Sequence, residues 1–475
     1  MEARSPPQRA SFAALVVTLI GLKLVPLCIF GPTMMPDSAG YTAYADAILD
    51  GSFRHVDLAS DAIPITLTRP IGYPAVIAAA KWIAPNAWAW WVVLFQFAFS
   101  VWATVAVYRL SRAFRLPILA SFGVAAAQAT SMQFVVDQAI LSDSLCGSAM
   151  TIAACILSEI VLRTAPPQAL RFLGSGILIV VAYLMRNVIE FLSLGLAPLA
   201  AAASMVEPTR LRRLGGFVLV CAPLIATHVV YIEWNESRVG APVVATISQL
   251  ALLGALAEAT RYDPTIFSGP TEVDTVSRRV FKELTPAEGI EVNNLLHSEY
   301  GWDSIRANRE VTAAYLRAWR DHPVAMVRHA LSHFSETQVH QAVRATETIR
   351  DVLLWNTGSD HDFARDRAVR DNWLMIPAVI FHRLIETASV VIFSAFLLLT
   401  PYRVVREGLT AEAQVCGSLW FSYLLSAGMY AAVHLEPRYL TPVVAGSIVV
   451  GAANIAWLIA ELRQRRATAA PRRAA

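Results

Sequence analysis

Apolar runs of about twenty residues recur along this chain, each long enough to cross a bilayer as a helix. Ten can be marked: 12–30, 87–108, 117–135, 140–162, 172–185, 188–206, 215–233, 373–399, 413–434 and 439–461. The fifth is short and needs a tight turn at Arg186–Asn187 or a thinned membrane. Two long polar segments interrupt the series, 31–86 and 234–372. Within the first, Tyr41, Tyr44, Ala45, Ile48 and Leu49 recur at helical spacing, which predicts a short amphipathic helix over 38–50 lying in the membrane interface. Residues 74–84 predict a second, anchored by Trp82, with Trp88, Trp90 and Trp91 at headgroup level. In the second polar segment the apolar stretch 241–257 is too short to span. It reads as buried or lying on the membrane, with a re-entrant segment as the alternative.

Composition agrees. The 475 residues are 56% hydrophobic and 16% charged, against about a quarter charged in soluble domains. The expected fold is an all-α polytopic membrane bundle of about ten helices with a small α or mixed outer domain. Its expected parts are 1–233, including the outer loop 31–86; the outer domain 234–372; the helices of 373–462; and a basic tail, 463–475. The first run has no clear cleavage site and reads as a retained anchor. All five cysteines fall in apolar spans, so neither a disulfide framework nor a cysteine zinc site is expected.

Arginine placement orients the bundle. Arg4 and Arg9, then Arg109, Arg112 and Arg115, then Arg163 and Arg171, then Arg210, Arg212 and Arg213, then Arg403 and Arg406, and finally Arg463, Arg465, Arg466, Arg472 and Arg473 fall on one side when the spans alternate. That side is the cytoplasm and holds both termini, in a cell inner (plasma) membrane. Asp37, Arg69, Asp143, Arg186, Glu436 and Arg438 then collect at the opposite face. Charge inside or beside a span is costly and marks functional or paired groups.

Each of these residues has a plainer reading as well. Asp37, in MMPDSAGY, suits a general base at the membrane surface and equally an N-cap for a helix starting at Ser38. In TRPIGYP (68–74), Pro70 and Pro74 forbid regular helix and Gly72 permits a sharp turn, so the segment reads as a rigid link presenting Arg69 and Tyr73. Arg69 offers a fork to a phosphate or carboxylate, or it snorkels. Asp143 stands in LSDSL at a span end. Arg186, in YLMRNVIE, has Glu190 one turn on as a candidate partner. HLEPRYLTP (434–442) sets Glu436, Arg438 and Tyr439 at the start of the last span. Arginines at headgroup depth bind phosphate, and a carboxylate beside them deprotonates a hydroxyl. Together they suit group transfer from a lipid-linked phosphate.

The order of these motifs resembles the GT-C polyprenyl-phosphate-dependent glycosyltransferases, the group of protein O-mannosyltransferases and aminoarabinose or galacturonic acid transferases. The order is an acid after the first span, R-P-x-G-Y-P, an acid at the fourth span, an arginine between later spans and E-x-R-Y-x-x-P. The likeness runs from about residue 12 to about 445. In 234–372 it rests on position and on RDHPVAMVRHALSHF. It implies a GT-C type transmembrane bundle and inverting transfer from a polyprenyl-phosphate sugar lipid to a lipid, glycan or protein acceptor in the cell envelope. Asp37 becomes the catalytic base, and Arg69, Arg186 and Arg438 the binders of the donor phosphate. Tyr73, Asp143, Glu436 and Tyr439 take supporting roles. Relatives often carry two adjacent acids where this chain has Asp37–Ser38, which leaves a divalent cation open as a cofactor; no metal ligand is assigned. A glycan polymerase or ligase with a pyrophosphate-linked donor, or a lipid or sugar transporter, are the rival readings. No nucleic-acid partner is expected.

Three further features carry less. His329, His333, Glu336 and His340 share one helical face, as metal ligands would; the plainer reading is the wet face of a helix with Val327, Leu331 and Phe334 opposite. Lys23 lies inside the first span, where it snorkels or serves a site. Asn235-Glu236-Ser237 is a formal glycosylation sequon and reads as chance.

Overall fold

The structure, a computed structural model, describes residues 13–469 except 15, 19, 22, 23, 25, 26, 29, 30, 59–62, 165, 187, 188, 285, 342–374 and 434–436. Among the described residues the chain is helical, and its single β-type contact is an isolated parallel bridge between Thr33 and Ala139. The helices are α1 (Pro36–Asp50), α2 (Gly72–Ile83), α3 (Trp88–Ala113), α4 (Ile118–Ala129), α5 (Met132–Gln138), α6 (Asp143–Val161), α7 (Ala169–Met185), α8 (Ile189–Met205) and α9 (Arg210–Val239). Then come α10 (Ser248–Ala259), α11 (Glu272–Val280), α12 (Pro286–Tyr300), α13 (Ser304–Asp321), α14 (Pro323–Gln341), α15 (Met375–Glu407), α16 (Ala411–Val433) and α17 (Thr441–Ala469).

Four helices are long and apolar enough to cross a membrane by themselves: α3, α6, α9 and α17. α4 and α5, bent by 52° at their junction, make a fifth candidate as one broken span. α9 pairs apolar sequence with exposure: only 17% of its most apolar window is buried, and Ile225, Val229 and Val230 lie open. Such a surface is stable against lipid and not against water. The chain is a multi-pass, all-α membrane protein.

Two apolar cores organise it. The larger joins the N-terminal helices to the C-terminal ones, with Tyr73, Val107, Leu145, Ala182, Leu199, Phe396, Val415 and Ile448 all buried. The smaller is built by α10 to α14 around Leu253, Leu256, Val292, Val311 and Met326. The ambiguous stretch 241–257 is settled by that core: α10 forms within it and is buried, neither spanning nor lying on the surface. The described residues of this second body are helical, so the mixed alternative finds no support there.

α6 sets the scale of the membrane body. It carries Asp143 at its first residue and Glu159 near its last. Sixteen residues at 1.5 Å each put these acids about 24 Å apart along the axis, close to the depth of a hydrocarbon core. Glu159 pairs with Arg109 at 2.8 Å and Arg171 at 3.8 Å. Asp143 faces a different set at the opposite end.

Several sequence expectations are corrected. The TRPIGYP link is non-helical only at its middle. A single helical turn covers Ile65–Thr68, Arg69 is extended, and α2 begins at Gly72 with Pro74 in its first turn. A proline there loses no hydrogen bond, because the first turn's N–H groups have no partner within the helix. Gly72 serves a close approach and not a sharp turn, since a Cβ on it would lie 2.5 Å from the Leu184 carbonyl oxygen of α7. The helix after the first span starts at Pro36, so Asp37 sits in its first turn and is not its N-cap. Tyr41, Tyr44 and Ala45 are buried as the spacing predicts, but Leu49 faces out. In the α2 helix Trp82 is exposed, as an interfacial anchor requires. The sequon's Asn235 is buried, and its amide donates to the carbonyls of Val243 at 2.8 Å and Val244 at 3.1 Å, so it is no glycan acceptor as folded. Lys23 lies outside the described residues.

Candidate active site

The candidate site begins with a backbone clamp. Thr33 N–H donates to the Gln138 carbonyl, and Ile140 N–H donates to the Thr33 carbonyl, both at 2.9 Å. The Ser38 hydroxyl then donates to the Ile140 carbonyl at 2.8 Å and accepts from Met35 N–H at 2.8 Å. The start of α1 is thereby tied to the 138–142 segment that leads into α6. Asp37 and Asp143, more than a hundred positions apart in the chain, are brought to one place by these bonds.

Each acid meets an arginine. Asp37 Oδ1 accepts from Arg69 Nη2 at 2.8 Å. Asp143 Oδ1 accepts from Arg186 Nη1. Each arginine also lies over a tyrosine ring: Arg69 is 4.3 Å from the Tyr41 centroid and Arg186 is 4.1 Å from that of Tyr439. Stacking of this kind adds about 0.5–2 kcal/mol depending on desolvation. Tyr41 links the two pairs, because its hydroxyl shares a 2.7 Å hydrogen bond with Ser142, the residue before Asp143. Tyr439 in turn packs against Tyr430, with centroids 5.2 Å apart.

The pairs differ in access. The Asp37 side chain is 33% exposed and Asp143 only 2%, with Arg69 and Arg186 near 17% and 16%. Asp37 is the acid a second molecule can reach. Asp143 and Arg186 form the floor, and that floor is not fully satisfied. Among the described residues, Asp143 Oδ2 and Arg186 Nε are buried without a hydrogen-bond partner. A buried polar atom left this way costs about 1–3 kcal/mol, and a polar ligand offering an acceptor to Nε and a donor to Oδ2 recovers it.

Three assignments shift. Arg186 pairs with Asp143 across the fold; the side chain of its expected partner, Glu190, lies outside the described residues. Among the described residues Tyr73 makes no hydrogen bond or ring contact with an arginine. It is fully buried, packs edge-on against Tyr41 at 4.9 Å and donates to Gln96 Oε1 at 2.7 Å. Arg69 is engaged by Asp37, so its first role is to hold that carboxylate. Glu436 and the side chain of Arg438 lie outside the described residues, while the backbone of Pro437–Leu440 forms a short 3-10 turn carrying Tyr439.

Sequence reading missed the groups beneath the site. Gln96, buried in α3, donates to the carbonyls of Val136 (3.3 Å), Asp137 (3.0 Å) and Ala139 (2.9 Å). These carbonyls belong to the end of α5 and the turn after it, where no helix supplies donors. Asp137 is a buried acid; its Oδ1 accepts from Gln133 at 2.5 Å and from Ser144 at 2.6 Å. An acid between two apolar runs was the available signal. The charges of the two exposed-to-floor pairs cancel within the site, and Ser38, standing where a second acid would, spends its hydroxyl on the backbone. Among the described residues both acids of the site are thus taken up by arginines, which does not suit a divalent cation bound through carboxylate oxygens.

No protein-family model matches the chain, and no curated protein matches it. Among solved structures it is similar to the oligosaccharyltransferase of Archaeoglobus fulgidus in complex with Zn and sulfate, with TM-score 0.46 and 12% identity over 97% of this chain and 50% of that one. The apo form gives TM-score 0.48 and 12% identity over 97% and 51%. Archaeal oligosaccharyltransferase AglB from the same organism, in complex with an inhibitory peptide and a dolichol-phosphate, gives 0.43 and 12% over 97% and 51%. The chain spans about half the length of these structures.

Proposed function

We propose that this chain is an integral-membrane inverting glycosyltransferase that moves a sugar from a polyprenyl-phosphate donor to an acceptor at the outer face. The reading rests on one observation above the others: two acid–arginine pairs joined through Tyr41, with a buried donor on Arg186 and a buried acceptor on Asp143 left for a ligand. The motif order of the sequence points the same way.

In the proposed reaction the acceptor's hydroxyl oxygen attacks the anomeric carbon in line with the bond to phosphate. The new C–O bond forms as the sugar–phosphate bond breaks, which inverts the centre. The hydroxyl proton goes to Asp37, held in place by Arg69. The electron pair of the broken bond stays on the prenyl phosphate, whose charge is met by Arg186 and by Arg438 on the adjacent turn. Asp143 orients Arg186 and accepts from a substrate hydroxyl. Fixed cations aimed at a departing oxyanion in a water-poor site are strong catalysts.

The test uses the purified full chain in detergent with prenyl-phosphate and prenyl-pyrophosphate sugars in separate reactions. Release of prenyl monophosphate from the first donor supports the reading. Release of prenyl pyrophosphate from the second alone identifies a polymerase or ligase, and vesicle transport without turnover identifies a transporter. Asp37→Asn lowers turnover by at least about 100-fold, the usual weight of a general base, with unchanged expression. Full activity in that variant removes Asp37 from the mechanism.

A further inference from the structure

Two histidines of α14, His329 and His333, do not face water; the side chains of Glu336 and His340 lie outside the described residues. His329 is 1% exposed and His333 18%, while Val327 at 43% and Leu331 at 62% lie outside. His329 and His333 turn inward while Val327 and Leu331 lie outside, so the wet and dry faces expected from the sequence are exchanged at these four positions, and Phe334 alone of the expected apolar face packs inward. Burying imidazole is unfavourable unless its nitrogens are bound.

What they face is Glu258, the penultimate residue of α10. Its Oε2 accepts from His333 Nε2 and lies 3.6 Å from His329 Nδ1. The two rings sit 4.5 Å apart, one helical turn from each other. One donor atom from each of the three residues lies within 4.8 Å of the others. We propose that Glu258, His329 and His333 form a binding site for a divalent transition-metal ion of the zinc class, clamping α14 to α10.

The chemistry selects the ion. Two imidazoles and one carboxylate are the ligand set of open zinc sites, with a fourth position for water. Calcium and magnesium call for oxygen ligands instead. Ligand atoms about 2.0–2.2 Å from a tetrahedral ion lie roughly 3.4 Å from one another, so small side-chain rotations close the cluster.

Position gives the clamp a consequence. Met326 of α14 belongs to the smaller core, and Phe334 packs on the larger one. α14 also touches the Pro437–Leu440 turn that carries Tyr439. A bound ion fixes the helix that joins the two bodies beside the candidate active site. The inference stands independently of the glycosyl-transfer reading.

The test is metal titration of the purified full chain after stripping with a chelator. Zinc is added in competition with a chromogenic chelator, and cobalt is followed by its visible absorption. The expected result is a single equivalent of zinc per chain, an intense tetrahedral-type cobalt band displaced by zinc, and a loss of affinity of at least about tenfold in Glu258→Gln, His329→Ala and His333→Ala. Absence of both zinc uptake and the cobalt band in the wild-type chain overturns the proposal, whatever the variants do. So does undiminished uptake in the His329→Ala/His333→Ala double variant, which assigns the metal to other histidines.

Discussion

At the residue scale the site is governed by geometry that lysine does not reproduce. Arg186 bonds Asp143 through one terminal nitrogen, stacks on Tyr439 with its plane and leaves Nε for a ligand. A lysine ammonium supplies charge but neither the plane nor the fork. Arg186→Lys is therefore expected to lose nearly as much turnover as Arg186→Ala, about 10²-fold or more, as when one preorganised donor is removed from an oxyanion site. Steady-state assays with the prenyl-phosphate donor decide this, and near wild-type turnover in the lysine variant refutes the fork. Both Asp37 and Arg69 stand out in the sequence as costly charges near a lipid phase. The meeting of Asp37 with Asp143 does not, because it depends on the Thr33–Ala139 bridge and on the Ser38 bond to Ile140, long-range contacts with no local pattern. Gln96 was hidden for a related reason: one amide in an apolar run has no period, and its value lies in three carbonyls forty residues on. Gln96→Leu strands those carbonyls and the Tyr73 hydroxyl at about 1–3 kcal/mol each. A large fall in detergent melting temperature is the expected outcome, and an unchanged melting temperature contradicts this account.

At the element scale, the apolar period found most helices, but not which medium each face meets. α1 reads correctly because its tyrosines turn toward the protein core, as in a soluble domain. α14 reads inverted in part, because Val327 and Leu331 look outward and His329 and His333 face Glu258. Where a helix lies against lipid, polarity points inward, and a single sequence does not say which helices do so. Glycine contacts were equally silent. α17 meets α15 at Gly451, where a Cβ would strike the Ile392 carbonyl, and α7 meets α9 at Gly176, where a Cβ would lie 2.6 Å from the Leu219 carbonyl. Small residues at such crossings let helix backbones approach in a membrane. Gly451→Ala and Gly72→Ala are each expected to cost about 1–3 kcal/mol through overpacking. They differ in effect on function. Gly451 is remote from Asp37, so the folded fraction keeps its specific activity. Gly72 lies three residues after Arg69, and pushing α2 off α7 moves that arginine, so specific activity falls as well. Melting curves and activity per folded molecule, measured together, separate the two; equal specific activities contradict the placement.

At the scale of the whole molecule, charge sorts to two levels separated by the length of α6. One level holds Asp37, Arg69, Asp143 and Arg186; the other holds Glu159 with Arg109 and Arg171. The second level includes arginines that set the orientation in the sequence. Not all of those cations are loose loop charges. Arg403 is buried and bonded to Glu407 at 3.0 Å and to Glu412. On the arginine bias of the sequence we propose that the α10–α14 body and the candidate site lie outside. That assignment is open to direct measurement in a cysteine-free background. Ser268 is exposed on the α10–α14 body and Gln464 is exposed near the end of α17. A membrane-impermeant maleimide added to intact cells is expected to label Ser268→Cys and to spare Gln464→Cys until the membrane is permeabilised. Labelling in the reverse order places the acid–arginine pairs on the cytoplasmic face. Nucleotide-activated sugars are available there, so the need for a lipid-linked donor disappears, and with it the reason for a phosphate site at headgroup depth.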